Sequence, residues 1–91
     1  MITKQHLQEL TAIFENQAKR IAMIDDTDHV RLSVYSPGDG RRYQMQVCDS
    51  DHQMRRTFPR DRHLPVADFK GYVLGLLEGL DWVEWESRAE A

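Results

Sequence analysis

The residues of this chain best equipped for chemistry lie in its middle: Cys48, with His29 and His52, and the acids Asp49 and Asp51. A thiolate beside imidazoles can bind zinc, or act as a nucleophile paired with a base. The two acids would then serve as further ligands or orienting groups. Against this stands the spacing, which offers no C-x-x-C and no second ligand pair. A lone cysteine also packs readily as a small hydrophobe. Asp49-Ser50-Asp51 lacks the third acidic or amide ligand, the glycine and the distal glutamate of a calcium loop, and reads as a polar turn. Gly38 and Gly40 belong to a hairpin turn, and Gly71, Gly75 and Gly79 to a helical pattern, so no phosphate-cradling loop is present. The expectation is a non-enzymatic protein with no catalytic residue, metal or cofactor.

Charge and aromatic placement carry the stronger signal. The 91 residues have a net charge of −3 that conceals a polarity. Arg55, Arg56, Arg60 and Arg62 face only Asp61 within residues 55–63, whereas Asp68, Glu78, Asp81, Glu84, Glu86 and Glu90 face only Lys70 and Arg88 beyond them. Arginine dominates the basic residues, and its planar fork suits bidentate recognition of carboxylates or phosphates. Trp82 and Trp85 sit within the acidic part, and tryptophan is frequent among interface hot spots. The alternative for each ring is that it closes the end of a small core.

Those groups must be positioned by four kinds of element. Thr3 is an N-cap, with Ile2 placed to staple onto Leu7. Leu7, Leu10, Phe14, Ala18 and Ile21 recur at helical spacing, widened by Ile13 and Ile24, and predict a helix over 4–24. Asp25 to Asp28 form a polar turn. Val30, Leu32 and Val34 then alternate with Arg31, Ser33 and Tyr35, and Tyr43, Met45 and Val47 alternate with Arg42, Gln44, Gln46 and Cys48. A four-residue loop after Ser36 sets the hairpin register: Val34 faces Tyr43, Leu32 faces Met45, and Val30 faces Val47. Residues 54–58 supply a third strand, imperfect because Arg56 interrupts its apolar side. Residues 59–63 form a basic loop, and Leu64-Pro65 opens a second helix with proline in its first turn. Val66, Phe69, Val73, Leu76, Leu77 and Leu80 mark its apolar stripe.

Gly71, Gly75 and Gly79 lie along the same helix, either as an internal contact or as the seam of a homodimer. Gly79 doubles as a candidate C-cap. Asp81 and Glu84 have capping-box spacing, which predicts a separate short helix over 82–88, with a short strand as the alternative.

The whole chain, 1–91, therefore reads as one small two-layer α+β domain: a three-stranded antiparallel meander packed on one face by two amphipathic helices, in the order α-β-β-β-α, with a short C-terminal helix. The other face of the sheet is expected to be open, carrying Arg31, Tyr35 and Arg42 and continuing into Arg55, Arg56, Arg60 and Arg62. The 41% hydrophobic content supports a single modest core. The N-terminal Met-Ile-Thr-Lys-Gln-His holds no apolar run of signal-peptide length, no segment approaches a membrane span, and one cysteine suits a reducing compartment. These point to the cytoplasm and to no membrane partner.

The element order is similar to that of double-stranded RNA-binding domains. Such a resemblance implies nucleic-acid binding, with the arginines on phosphates and Tyr35 stacking. The second helix, however, opens with Leu64-Pro65-Val66-Ala67-Asp68 and lacks the lysine cluster of that family, and the net charge is acidic. Small acidic proteins of this type also include phage-encoded inhibitors that cover nucleic-acid sites on host enzymes. The leading expectation is accordingly a protein–protein interaction module of adaptor, regulator or inhibitor type. Its binding residues would be the arginines, Tyr35, Trp82, Trp85 and Glu84. A nucleic-acid-binding module using the arginine face is the second.

Overall fold

Thr3 opens the first helix as its residue type suggests: the Thr3 hydroxyl accepts the His6 backbone N–H at 3.2 Å. The structure is a computed structural model that describes residues 3–38 and 40–90, with side chains up to residue 86. Ile2 and its staple lie outside the described residues, as does Asp39 of the hairpin loop. Helix α1 spans Lys4–Arg20 and buries Leu7, Leu10, Phe14 and Ala18 against the sheet.

The helix stops short of residue 24. Ala22 adopts a left-handed φ of 60°. Its N–H bonds Lys19 O at 3.0 Å, while the Met23 N–H bonds Ala18 O at 2.8 Å. These two bonds close the helix in a Schellman cap. Ile24 still reaches the core through the turn that follows, which is why its spacing mimicked a helix continuation. Ile13 does not widen the buried stripe and is exposed. Asp25 and Asp28 then bond reciprocally, N–H to carbonyl at 3.0 Å and N–H to carboxylate at 2.9 Å, which turns the chain into the sheet.

Strands β1 (His29–Tyr35) and β2 (Arg42–Cys48) pair in the register the alternation requires, with Val30, Leu32 and Val34 opposite Val47, Met45 and Tyr43. Strand β3 (Met54–Phe58) adds to the other side of β2. Its irregular pattern has a cause in the ladder. The register shifts between Val47 and Cys48, so Arg56 faces Val47, Met54 faces Cys48, and Arg55 is left unmatched in a bulge. Met54 consequently lies exposed, and Phe58 carries the strand's burial, its ring centroid 5.3 Å from that of Phe14.

A fourth short strand, β4 (Leu64–Pro65), also pairs with β2. Phe58 faces Met45 and Leu64 faces Tyr43. The chain thus spends six positions where β2 spends two, and the surplus leaves the ladder as an excursion. Pro65 faces Arg42 within this pairing, so it precedes helix α2 rather than opening its first turn.

Helix α2 runs without a break over Val66–Glu90. The separate short helix expected over 82–88 is the continuation of this one, and Gly79 is an interior residue, not a cap. The capping-box acids serve a different purpose: Asp81 accepts a hydrogen bond from the Gln17 amide, and Glu84 pairs with Arg20 at 3.4 Å. Both contacts fasten α2 to the last turns of α1. Phe69 and Val73 are fully buried, and Leu76, Leu77 and Leu80 pack beside them. The result is a two-layer α+β domain, both helices on one face of an antiparallel sheet ordered β1-β2-β3 with β4 attached to β2. Among the described residues no helix is long and apolar enough to cross a membrane.

Candidate functional site

Bulge and excursion divide the arginines into two groups. Arg31, Tyr35 and Arg42 stand on the sheet face opposite the helices, as alternation dictates. That face is only partly open, because the excursion folds across its middle. Gln44, expected in solvent, is buried and donates from its amide to the carbonyls of Pro59 and Arg62, each at 3.0 Å. Its own oxygen accepts from Gln46 at 3.0 Å, whose oxygen in turn accepts from Arg31 at 2.7 Å. His63 completes the cover, 3.0 Å from the Ser33 hydroxyl and with its ring 5.9 Å from that of Tyr35. A polar side chain with two donors satisfies one buried and one partly buried backbone acceptor here, which a leucine in the same place could not do.

Arg55, Arg56 and Arg60 form the second group, along an outer groove at β3 whose far wall is Tyr72 of α2. Arg56 points to the helix side of the sheet, its guanidinium carbon 5.0 Å from the centre of the Phe58 ring. The continuous arginine face expected from the strands is therefore broken in two, since Arg56 pairs with Val47 and shares the inward parity of Phe58, away from Arg31 and Arg42. Arg62, in the excursion, acts on Tyr72 together with Arg56. Partial burial holds the Tyr72 phenol above its ordinary value, against the lowering pull of Arg62 and then Arg56. Arg60 meets Asp61 at 3.7 Å with both side chains in solvent, a pairing of little energetic weight.

The cysteine and histidines come near one another but differ in exposure. His29 and His52 come together edge to face, their ring centroids 5.3 Å apart. Cys48 faces His29 across the ladder but is fully buried. No group of three metal-capable side chains forms among the described residues.

The far side of α2 is different in kind. Trp82 and Trp85 are 60% and 59% exposed, and their rings stack on each other at 5.3 Å and 21°. They do not close the core. Folding leaves unburied roughly 120 Å² of each ring, worth about 3 kcal/mol apiece if covered. Beside them Gly75 and Gly79 form a smooth groove bordered by Glu78 and Asp81. A Cβ placed on Gly71, Gly75 or Gly79 would meet nothing within 4 Å. The glycines therefore make no internal contact, and each costs up to about 1 kcal/mol of helix stability that nothing within the fold offsets. Glu84 does not rim this groove, because its side chain turns to Arg20 and is only 16% exposed.

No protein-family model, curated protein or solved structure matches the chain. Function must be read from these surfaces. Sequence patterns had passed over three residues that organise them: Gln44, His63 and Tyr72. Gln44 sat at an outward position of an alternating strand, and only the excursion's return over the sheet gives it a role.

Proposed function

We propose that this chain is a non-enzymatic binding module that engages another protein chain through the far side of α2. The observation that supports this reading is the stacked Trp82–Trp85 pair, held mostly in water on a helix face turned away from the core. Large aromatic side chains at the centre of a contact supply most of its energy, and the acids around them set its charge. An adaptor, regulator or inhibitor would use such a face. A cytoplasmic setting belongs to the same reading, since a chain with one cysteine builds no internal disulfide.

The test is capture of partners from host lysate by the wild-type chain and by the W82A/W85A double variant, each with and without nuclease. Because neither ring packs in the core, the double variant should unfold in urea as cooperatively as the wild type. The expected result is a stoichiometric, nuclease-resistant protein that the variant loses. A partner retained by the variant would refute the assignment to these rings.

A second reading is favoured by the β3 groove, where Arg55, Arg56 and Arg60 stand opposite Tyr72. There a nucleic-acid backbone would bind with affinity falling steeply in salt and weakened by R55A/R56A. Partners lost on nuclease treatment would put this reading first.

A further inference from the structure

We infer that the chain covering the far side of α2 is a second copy of this protein, paired antiparallel about a two-fold axis close to Gly75. This inference rests on the protein-binding reading above and names its partner.

At about 100° per residue, Asp68, Gly71, Gly75, Gly79, Trp82 and Glu86 fall within roughly 40° of one line along the helix. That line lies opposite Phe69 and Val73, which are fully buried in the core. The axis at Gly75 makes the stripe self-complementary. Trp82 lies as far beyond Gly75 as Asp68 lies before it, so each indole meets the opening turn of the other α2. Glu86 lies eleven positions beyond Gly75, past the point where the other α2 begins at Val66, and so extends toward the residues that precede that helix, Arg62 among them. The acidic end of each helix is thereby laid against the basic excursion of the other copy, and the contact occurs twice, as a two-fold interface requires.

Charge decides the occupant. One chain carries both the acidic, tryptophan-bearing end and the arginine cluster, at opposite ends of a single helix. Antiparallel pairing matches each to its complement and also opposes the helix dipoles favourably. Tyr72, one position from Gly71, is the wall of the arginine groove, so the helix stripe and the basic surface adjoin. The open glycines remove the side chains that would hold the two backbones apart, and no neighbour inside the fold uses the space they leave. A 25-residue helix is about 37 Å long and 10 Å wide. With the axis at Gly75 the two helices overlap over residues 66–84, about 28 Å, so the faces cover roughly 280 Å² per chain, and the arginine contacts add to this. That is below the roughly 1,200 Å² total at which standard specific interfaces begin, so the expected dimer is weak, reversible and salt-sensitive.

Sedimentation velocity on the full chain, over a concentration series at low and high salt, tests this. The expected result is a monomer–dimer equilibrium weakened at least about tenfold by raising salt from roughly 0.05 to 0.5 M, with tryptophan emission shifting to the blue as dimer forms. Gly75→Leu should be a folded monomer, because its side chain enters open space in the monomer and blocks the axis in the dimer. Glu86→Arg alone, and Arg60→Glu with Arg62→Glu, should each be monomeric, and an equimolar mixture of the two should restore a dimer. In the mixed pair both contacts regain opposite charges.

A wild-type chain monomeric at all concentrations would overturn the inference, as would a dimer indifferent to Gly75→Leu or a mixture that fails to reassociate. The protein-binding reading is judged separately. If the wild type is monomeric yet W82A/W85A loses a lysate partner, that reading stands and only the second copy is rejected. If the rings matter to neither assay, both fail.

Discussion

Replacing Gln44 by glutamate tests whether the excursion is held to the sheet by the hydrogen bonds described above. The two side chains have the same shape, so packing is preserved. The wild-type amide donates to Pro59 O and Arg62 O, and the residue is 4% exposed. A glutamate carboxylate at neutral pH has no donor, and would face two carbonyl oxygens at 3.0 Å. An uncompensated buried charge costs about 3–5 kcal/mol. Gln46 would still donate to the remaining oxygen, with Arg31 one link further along, so the lower end, about 3 kcal/mol, is expected.

Protonation restores one O–H donor and leaves the variant short of a single hydrogen bond, about 1 kcal/mol. The folded state raises this carboxyl's pKa above the ordinary value of about 4.3. The variant's stability is then fully present below about pH 4.3 and is lost as pH rises through the folded-state value. Urea unfolding of wild type and Q44E at pH 4 and pH 7 measures both gaps, and their difference cancels the groups common to the two proteins. A Q44E protein within about 0.5 kcal/mol of wild type at pH 7, or a gap that fails to narrow at pH 4, would refute the argument.

Ala22→Gly should stabilise the protein by about 0.5–1 kcal/mol in thermal or urea unfolding, since relief of a left-handed alanine exceeds glycine's added unfolded-state entropy. Thr3→Ala should cost about 1 kcal/mol by stranding the His6 N–H. Because the Tyr72 phenol is held above 10.0, its contribution is complete below pH 10 and is lost as pH rises through the folded value. Alkaline unfolding of Tyr72→Phe, compared with wild type, should therefore be flatter. Cys48, fully buried, should resist an aromatic disulfide reagent in the native state and react at once in urea.

Alternation in residues 29–48 was enough to set the hairpin register, because a one-residue slip would turn every apolar side chain to the wrong face. The stripes of Leu7, Leu10, Phe14 and Ala18, and of Phe69 and Val73, likewise specified two helices on one face, since only those spacings bury a continuous surface. Helix ends were harder to read. Met23 and Ile24 pack after a Schellman turn as readily as along a helix, and the Asp81/Glu84 start signal yielded to contacts with Gln17 and Arg20.

For the candidate site, residue types identified the arginines and tryptophans, and the charge polarity along the chain was legible. Local sequence therefore determined the elements, their order and the hairpin register, because each depends on periodicity among near neighbours. Only the tertiary structure decided that Gln44 is buried and that α2 continues past Gly79 and leaves both tryptophans in solvent. Those outcomes depend on where the excursion and the α1–α2 contacts place distant segments, and strand or helix periodicity carries no record of that.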